Sequence, residues 1–161
     1  MNKKNFFIAC AMLLAFGCNQ NAEQIKPAEE KPAVAAPATT SYPGDPVSTE
    51  PTAAAAGLKY IDYVAGSGAT AEAGKTVVVH YTGYLTNGFK VDSSVDRDAA
   101  ISFSLGAGEM IKGWDIGVVG MKVGGKRKLI IPPDLGYGAS DYGPIPGGSV
   151  LVFDIELLEV K

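Results

Sequence analysis

Thr76-Val77-Val78-Val79-His80-Tyr81-Thr82 is β-branched or aromatic at nearly every position and lies between Gly74 and Gly83. Such side chains crowd a helix but fit a pleated surface, so the stretch predicts a strand. Tyr84-Leu85-Thr86 continues it past Gly83, and Asn87-Gly88 is a strong hairpin-turn signal. Ile101-Ser102-Phe103-Ser104-Leu105 alternates apolar and polar, which predicts a half-buried strand. Lys128-Leu129-Ile130-Ile131 stops at Pro132-Pro133, which cannot donate to a ladder. Ser149 to Leu158 is the longest strand, with Leu151, Phe153, Ile155 and Leu157 on one face.

One segment has another period. Ile111, Trp114 and Val118 are spaced by three and four, which predicts a short amphipathic helix. Gly113 and Gly117 inside it are poor helix formers, so they point to a close approach by another backbone or a ligand. The fold class expected is α+β, a twisted antiparallel sheet with one helix packed across it. Roughly 105 residues from Gly57 onward are enough to bury a core without disulfides. Lys126-Arg127-Lys128 is the densest basic spot and is expected to be a solvated turn. Tyr137 and Tyr142 sit on a Gly/Pro-rich loop between Leu135 and Gly148, where aromatic rings more often line a binding surface than a core.

The formal net charge is −3. With no clustered basic face, nucleic acid is not an expected partner. Both cysteines, Cys10 and Cys18, fall near the N-terminus, so the folded part has no disulfide and no thiol nucleophile. His80 is the only histidine and sits mid-strand, where a structural role is expected. It makes neither a zinc site nor a catalytic triad. Asp92, Asp96 and Asp98 lack EF-hand spacing, and Gly66-Ser67-Gly68 lacks the helix and lysine of a phosphate loop. Neither metal nor cofactor is expected.

Met1-Asn2-Lys3-Lys4 is a basic start, and Phe6 to Phe16 is apolar. That run is too short for a membrane span, which needs about 20 residues, and suits a signal peptide over residues 1–17. Gly17-Cys18 after such a core resembles the bacterial lipoprotein signal, although Ala15 and Phe16 stand where that signal prefers Leu and a small residue. The resemblance implies lipidation of Cys18 and a membrane anchor in the cell envelope, facing the periplasm or the exterior. Ordinary cleavage would instead release a soluble periplasmic protein. Residues 18–56 hold Pro27, Pro32, Pro37, Pro43, Pro46 and Pro51 among Ala, Thr and Glu. With few apolar side chains to offset ordering entropy, they are expected to form a disordered tether before a domain at 57–161.

Val78-Val79-His80-Tyr81-Thr82-Gly83, Asp92-Ser93-Ser94, Gly113-Trp114, Leu129-Ile130-Ile131-Pro132-Pro133, Leu135-Gly136-Tyr137-Gly138 and Leu151 to Leu158 follow one another in an order and spacing that resemble the FKBP family of prolyl isomerases. The resemblance covers nearly the whole domain. It implies a sheet wrapped around a short helix, with an apolar pocket between them. Trp114 would form the floor, Tyr81, Phe153 and Ile111 the walls, and Met110 and Ile145 the rim. Asp92 and the Tyr137 hydroxyl would give polar contacts, and the Ile111 N–H would bind a substrate carbonyl. Arg97 would pair with Asp92, and Glu109 would offer its backbone carbonyl. Val91 and Ile101 stand where the family usually has phenylalanine, and Tyr142 where histidine is frequent. The implied activity is cis–trans isomerisation of X–Pro bonds, with proline-containing polypeptides as partners and macrolides as possible inhibitors. No dimerisation segment stands beyond the tether, so a monomer is expected. The alternative is a peptide-binding, chaperone-like module with little or no catalysis.

Overall fold

The computed structural model describes residues 42–161. Within them, β1 (Thr52–Ala53), β2 (Lys59–Val64), β3 (Thr76–Leu85), β4 (Lys90–Ser93), β5 (Ile101–Ser104), β6 (Lys126–Ile131) and β7 (Leu151–Val160) form one seven-stranded sheet. Every pairing is antiparallel. The order is β1-β2-β6-β7-β3-β4, and β5 also pairs with β3. The first half of β3 takes β5 as its edge partner and the second half takes β4. The Asn87-Gly88 signal is the β3–β4 turn, where Gly88 has φ +88 and the Leu85 N–H donates to the Phe89 carbonyl at 2.9 Å.

Helix α1 (Lys112–Gly117) lies across one face. Six residues do not hold a helix in water by propensity, so packing must. Trp114 and Val118 point into the core with 1% and no exposure. A methyl group added at Gly113 would fall 2.5 Å from Ile131 Cγ2, and one at Gly117 would fall 2.6 Å from Leu129 Cδ1. The glycines therefore let the helix backbone rest directly on β6, which is the close approach their presence predicts. Asp115 ties the preceding loop to the helix by accepting the Gly106 and Gly108 N–H groups at 2.9 and 3.1 Å.

Two expectations are corrected. The basic run is no solvated turn. It opens β6, with Arg127 at 8% and Lys128 at 0% exposure. Each cation is neutralised by a carboxylate remote in sequence. Arg127 donates to Asp62 at 2.6 and 2.9 Å, donates to the Gly117 carbonyl at the end of α1 at 2.7 Å, and lies 4.3 Å from the Tyr60 ring centre. Lys128 pairs with Asp154 at 2.6 Å. The second correction concerns the folded boundary, which precedes Gly57. Thr52 and Ala53 pair with Tyr60 and Lys59, Ala54 packs on the core, and the Pro43 carbonyl accepts from Lys128 at 2.7 Å. Composition misses this because residues 42–56 attach through backbone groups and a covered ion pair rather than through large apolar side chains. The proposed signal peptide, Cys18 and the first part of the tether lie outside the described residues. Among the described residues, no helix is long and apolar enough to cross a membrane.

Candidate functional site

Strand alternation sends Tyr81 and Phe153 to the helix side of the sheet, where α1 offers Trp114. Tyr81 and Phe153 meet the Trp114 ring nearly edge-on, with centres 5.1 and 5.3 Å away and planes at 80° and 86°. Phe103 supports the indole from β5 at 5.6 Å. The Phe153 ring needs Gly83 directly across the ladder, because a methyl group there would fall 2.5 Å from Phe153 Cε1. These rings form the base of a cleft of about 350 Å³, lined also by Val91, Asp92, Glu109, Met110, Ile111, Tyr137, Tyr142 and Ile145. The Tyr137 and Tyr142 rings stack 4.4 Å apart at 7° on the rim. Mutual hydrogen bonds between Tyr142 and Ile145, at 2.8 and 3.0 Å, brace that loop.

One polar network enters this apolar wall. Tyr81 donates its hydroxyl to Asp92, whose other oxygen pairs with Arg97, and Arg97 also reaches the Tyr81 oxygen at 3.2 Å. The Ser93 N–H supports Asp92 at 2.8 Å. Ser94 is fully buried and fixes the Tyr81 backbone, its Oγ accepting from the Tyr81 N–H at 2.8 Å while its own N–H donates to the Tyr81 carbonyl at 3.0 Å. Behind it, His80 Nδ1 lies 3.0 Å from the same Oγ, the structural role expected of that histidine.

Burial would raise the Asp92 carboxyl, but the hydrogen bonds from Arg97, Tyr81 and the Ser93 N–H outweigh it and hold the group below the usual carboxylate range. Burial, followed by the Asp92 contact, pushes the Tyr81 hydroxyl up, and burial also raises Tyr137, so both hydroxyls remain donors at neutral pH. A depressed carboxyl stabilises the fold above its unfolded value of about 3.9, and the contribution fades only as pH falls through the lower folded value. An NMR titration of the Asp92 side chain is therefore expected to place its midpoint below the unpaired value of about 3.9. A midpoint at or above that value would contradict the network.

The cleft thus gathers the residues expected of it, with two exceptions. Ile101 is not part of the lining; it is half-buried in β5 and packs against the core. Arg97 is exposed and stands outside the lining, touching the cleft only through Asp92 and Tyr81. Glu109 lines the cleft, and its carboxylate accepts the Ser104 N–H at 3.2 Å. Three supports receive no role at the site from the sequence: Ser94, Gly83 and Phe103. The alternation of Ile101, Phe103 and Leu105 was the available signal for Phe103. Among the described residues, no three His, Cys, Asp or Glu side chains gather as a metal site. The lining holds no Ser, Thr, Cys, Lys or His, and its mostly apolar surface with a few polar groups suits desolvating and orienting a ligand.

A family model for FKBP-type peptidyl-prolyl cis-trans isomerases matches residues 68–158. The FK506-binding protein of Neisseria meningitidis serogroup B is 52% identical over 105 residues, covering 65% of this chain and 96% of that protein. FK506-binding protein 2 of Dictyostelium discoideum is 57% identical over 91 residues, 56% of this chain and 68% of the relative. Among solved structures, AtFKBP13 superposes with a TM-score of 0.66 at 41% identity, over 70% of this chain and all of that one. FkpA from Escherichia coli gives 0.64 at 43% identity, over 69% of this chain but only 51% of its own length. With the match spanning more than half the sequence and the same sheet, helix and cleft in place, the chain belongs to the FKBP-type peptidyl-prolyl cis-trans isomerase family.

Proposed function

We propose that this chain speeds cis–trans exchange at X–Pro bonds in proteins folding at a bacterial envelope, by stabilising the twisted prolyl amide relative to the planar one inside the aromatic cleft and so lowering the barrier between the two isomers. The observation that carries the reading is Trp114 at the base of an apolar cleft, with Tyr81, Phe153 and Phe103 all packed against its ring. Rotation about the amide costs about 18–20 kcal/mol because resonance must be broken. The planar form carries more charge separation than the twisted one. Transfer from water into an apolar cleft therefore penalises the planar form more, and this difference lowers the barrier.

Trp114 would carry the pyrrolidine ring, with Tyr81, Phe153 and Ile111 as walls and Met110, Ile145, Val91 and Tyr142 around the rim. The Ile111 N–H has no intramolecular acceptor among the described residues and would bind a substrate carbonyl. Tyr137 and Asp92 would add polar contacts, Arg97 acting through Asp92. Macrolides would compete for the same apolar surface.

Uncatalysed X–Pro exchange takes tens of seconds or more. NMR exchange on a short proline peptide, with substoichiometric full chain, is expected to show exchange that quickens in proportion to protein. Saturable binding without acceleration would favour the peptide-binding alternative instead. The location rests on Gly17-Cys18 behind an apolar run. Intact mass of the mature chain is expected to show acyl groups on an N-terminal Cys18, which two or more chains would hold stably at a membrane. An unmodified N-terminus would favour a soluble exported protein.

A further inference from the structure

The face of the sheet opposite the cleft is not bare. Lys128 and Asp154 are cross-strand partners on β6 and β7. Each is one residue from a core side chain, Leu129 and Phe153, so strand alternation turns both to the back of the sheet. A lysine and an aspartate there should be solvated. Instead, their side chains are 0% and 11% exposed. The cover is the chain's own Pro43-Gly44-Asp45. The Pro43 carbonyl accepts from Lys128 at 2.7 Å. The Asp45 N–H donates to Asp154 at 2.8 Å, and Tyr63 on β2 donates its hydroxyl to the Asp45 carboxylate at 3.2 Å.

The fit is specific to the residue between them. Gly44 has φ +90, and a methyl group there would fall 1.9 Å from Asp154 Oδ2 and 2.9 Å from the Tyr84 ring. Only glycine accepts both the conformation and the contact. A positive and a negative group thus each meet the backbone group of opposite polarity from one three-residue segment. The cleft mechanism uses none of these groups.

We propose that the back of the sheet is a second, intramolecular peptide site, built around Lys128 and Asp154 for the Pro43-Gly44-Asp45 segment. It fixes residues 43–45 of the segment read as a tether to the face of the sheet away from the cleft, so that this part of the segment leaves the catalytic surface clear.

The test uses the full chain. In the parent, the Asp45 amide is expected to exchange its hydrogen roughly 10–100-fold more slowly than in an unfolded peptide, the protection that a hydrogen bond to a charged group supplies. Lys128 should be the slowest of the domain's lysines to react with an amine-acylating reagent, far behind the exposed Lys59 and Lys75. In Gly44→Ala, the Asp45 protection should vanish and Lys128 should acylate at least about tenfold faster, while X–Pro exchange by the cleft is unchanged. An Asp45 amide that exchanges at the unfolded rate in the parent would overturn the proposal without any variant. So would a Gly44→Ala chain that keeps the parent's protection and Lys128 reactivity.

Discussion

A Trp114→Ala chain is expected to lose about 3–5 kcal/mol of folding stability, and at a temperature where it stays folded, roughly tenfold or more of its X–Pro exchange rate, equivalent to about 1.4 kcal/mol in barrier. The indole is 1% exposed and meets three rings at 5.1 to 5.6 Å. Its removal forfeits the burial of the largest side chain in the core, opens a void under the cleft, and loses aromatic pairings of about 0.5–1.5 kcal/mol each. Neighbours can collapse only partly, because Gly113 already holds the helix against Ile131. The two effects separate experimentally. Urea melts report the stability loss, and exchange at saturating peptide reports the rate of the folded fraction. A melt near the parent's would mean that the indole is not buried as described.

Lys128→Ala is expected to cost a similar amount, about 3–5 kcal/mol, because it strands the Asp154 carboxylate without its partner under the Pro43–Asp45 cover. The double change Lys128→Met with Asp154→Leu should recover most of that loss, since apolar replacement of a buried pair is often neutral or better. The single variant also has a signed pH dependence. Burial already raises the Asp154 carboxyl above its ordinary value, outweighing the hydrogen bonds from Lys128 and the Asp45 N–H. A raised carboxyl destabilises the fold increasingly as pH rises through its folded value. Without Lys128 the group rises further, so the deficit of Lys128→Ala should be largest at pH 7 and shrink as acid returns a proton to Asp154. Denaturant midpoints at the two ends of that range check it. A deficit independent of pH would contradict the buried pair.

The sheet and its helix were legible because their signals are local. Thr76 to Thr82 and Leu151 to Leu157 carry their period in plain sight, and Gly113 and Gly117 betray a backbone contact before its partner is known. Strand β2 is fainter, since Ile61 is its only fully buried residue. What stayed hidden depends on partners remote in sequence. Arg127 reads as a surface charge until Asp62 and the end of α1 are seen around it. The docking of residues 42–56 is written in backbone hydrogen bonds, which composition does not record. In the cleft, chain order located the lining through resemblance, whereas Ile101 shows the limit of that route. A position can match a pocket residue and still pack into the core when the side chain is aliphatic. Gly83 and Ser94 act by what they permit and what they pin, so their importance shows only once Phe153 and Tyr81 stand beside them.

Stability changes at Trp114 mix packing with catalysis, whereas Tyr81 is half-buried and faces the cleft. The most direct measurement is therefore the cis–trans exchange rate of a proline peptide at saturating concentration, in the parent and in a Tyr81→Ala chain shown to be folded by its circular dichroism. The parent should convert exchange over tens of seconds into turnover that scales with protein, and the variant should lose most of that acceleration. A folded Tyr81→Ala chain working at the parent's rate would mean that the prolyl bond turns somewhere other than the ring-lined cleft.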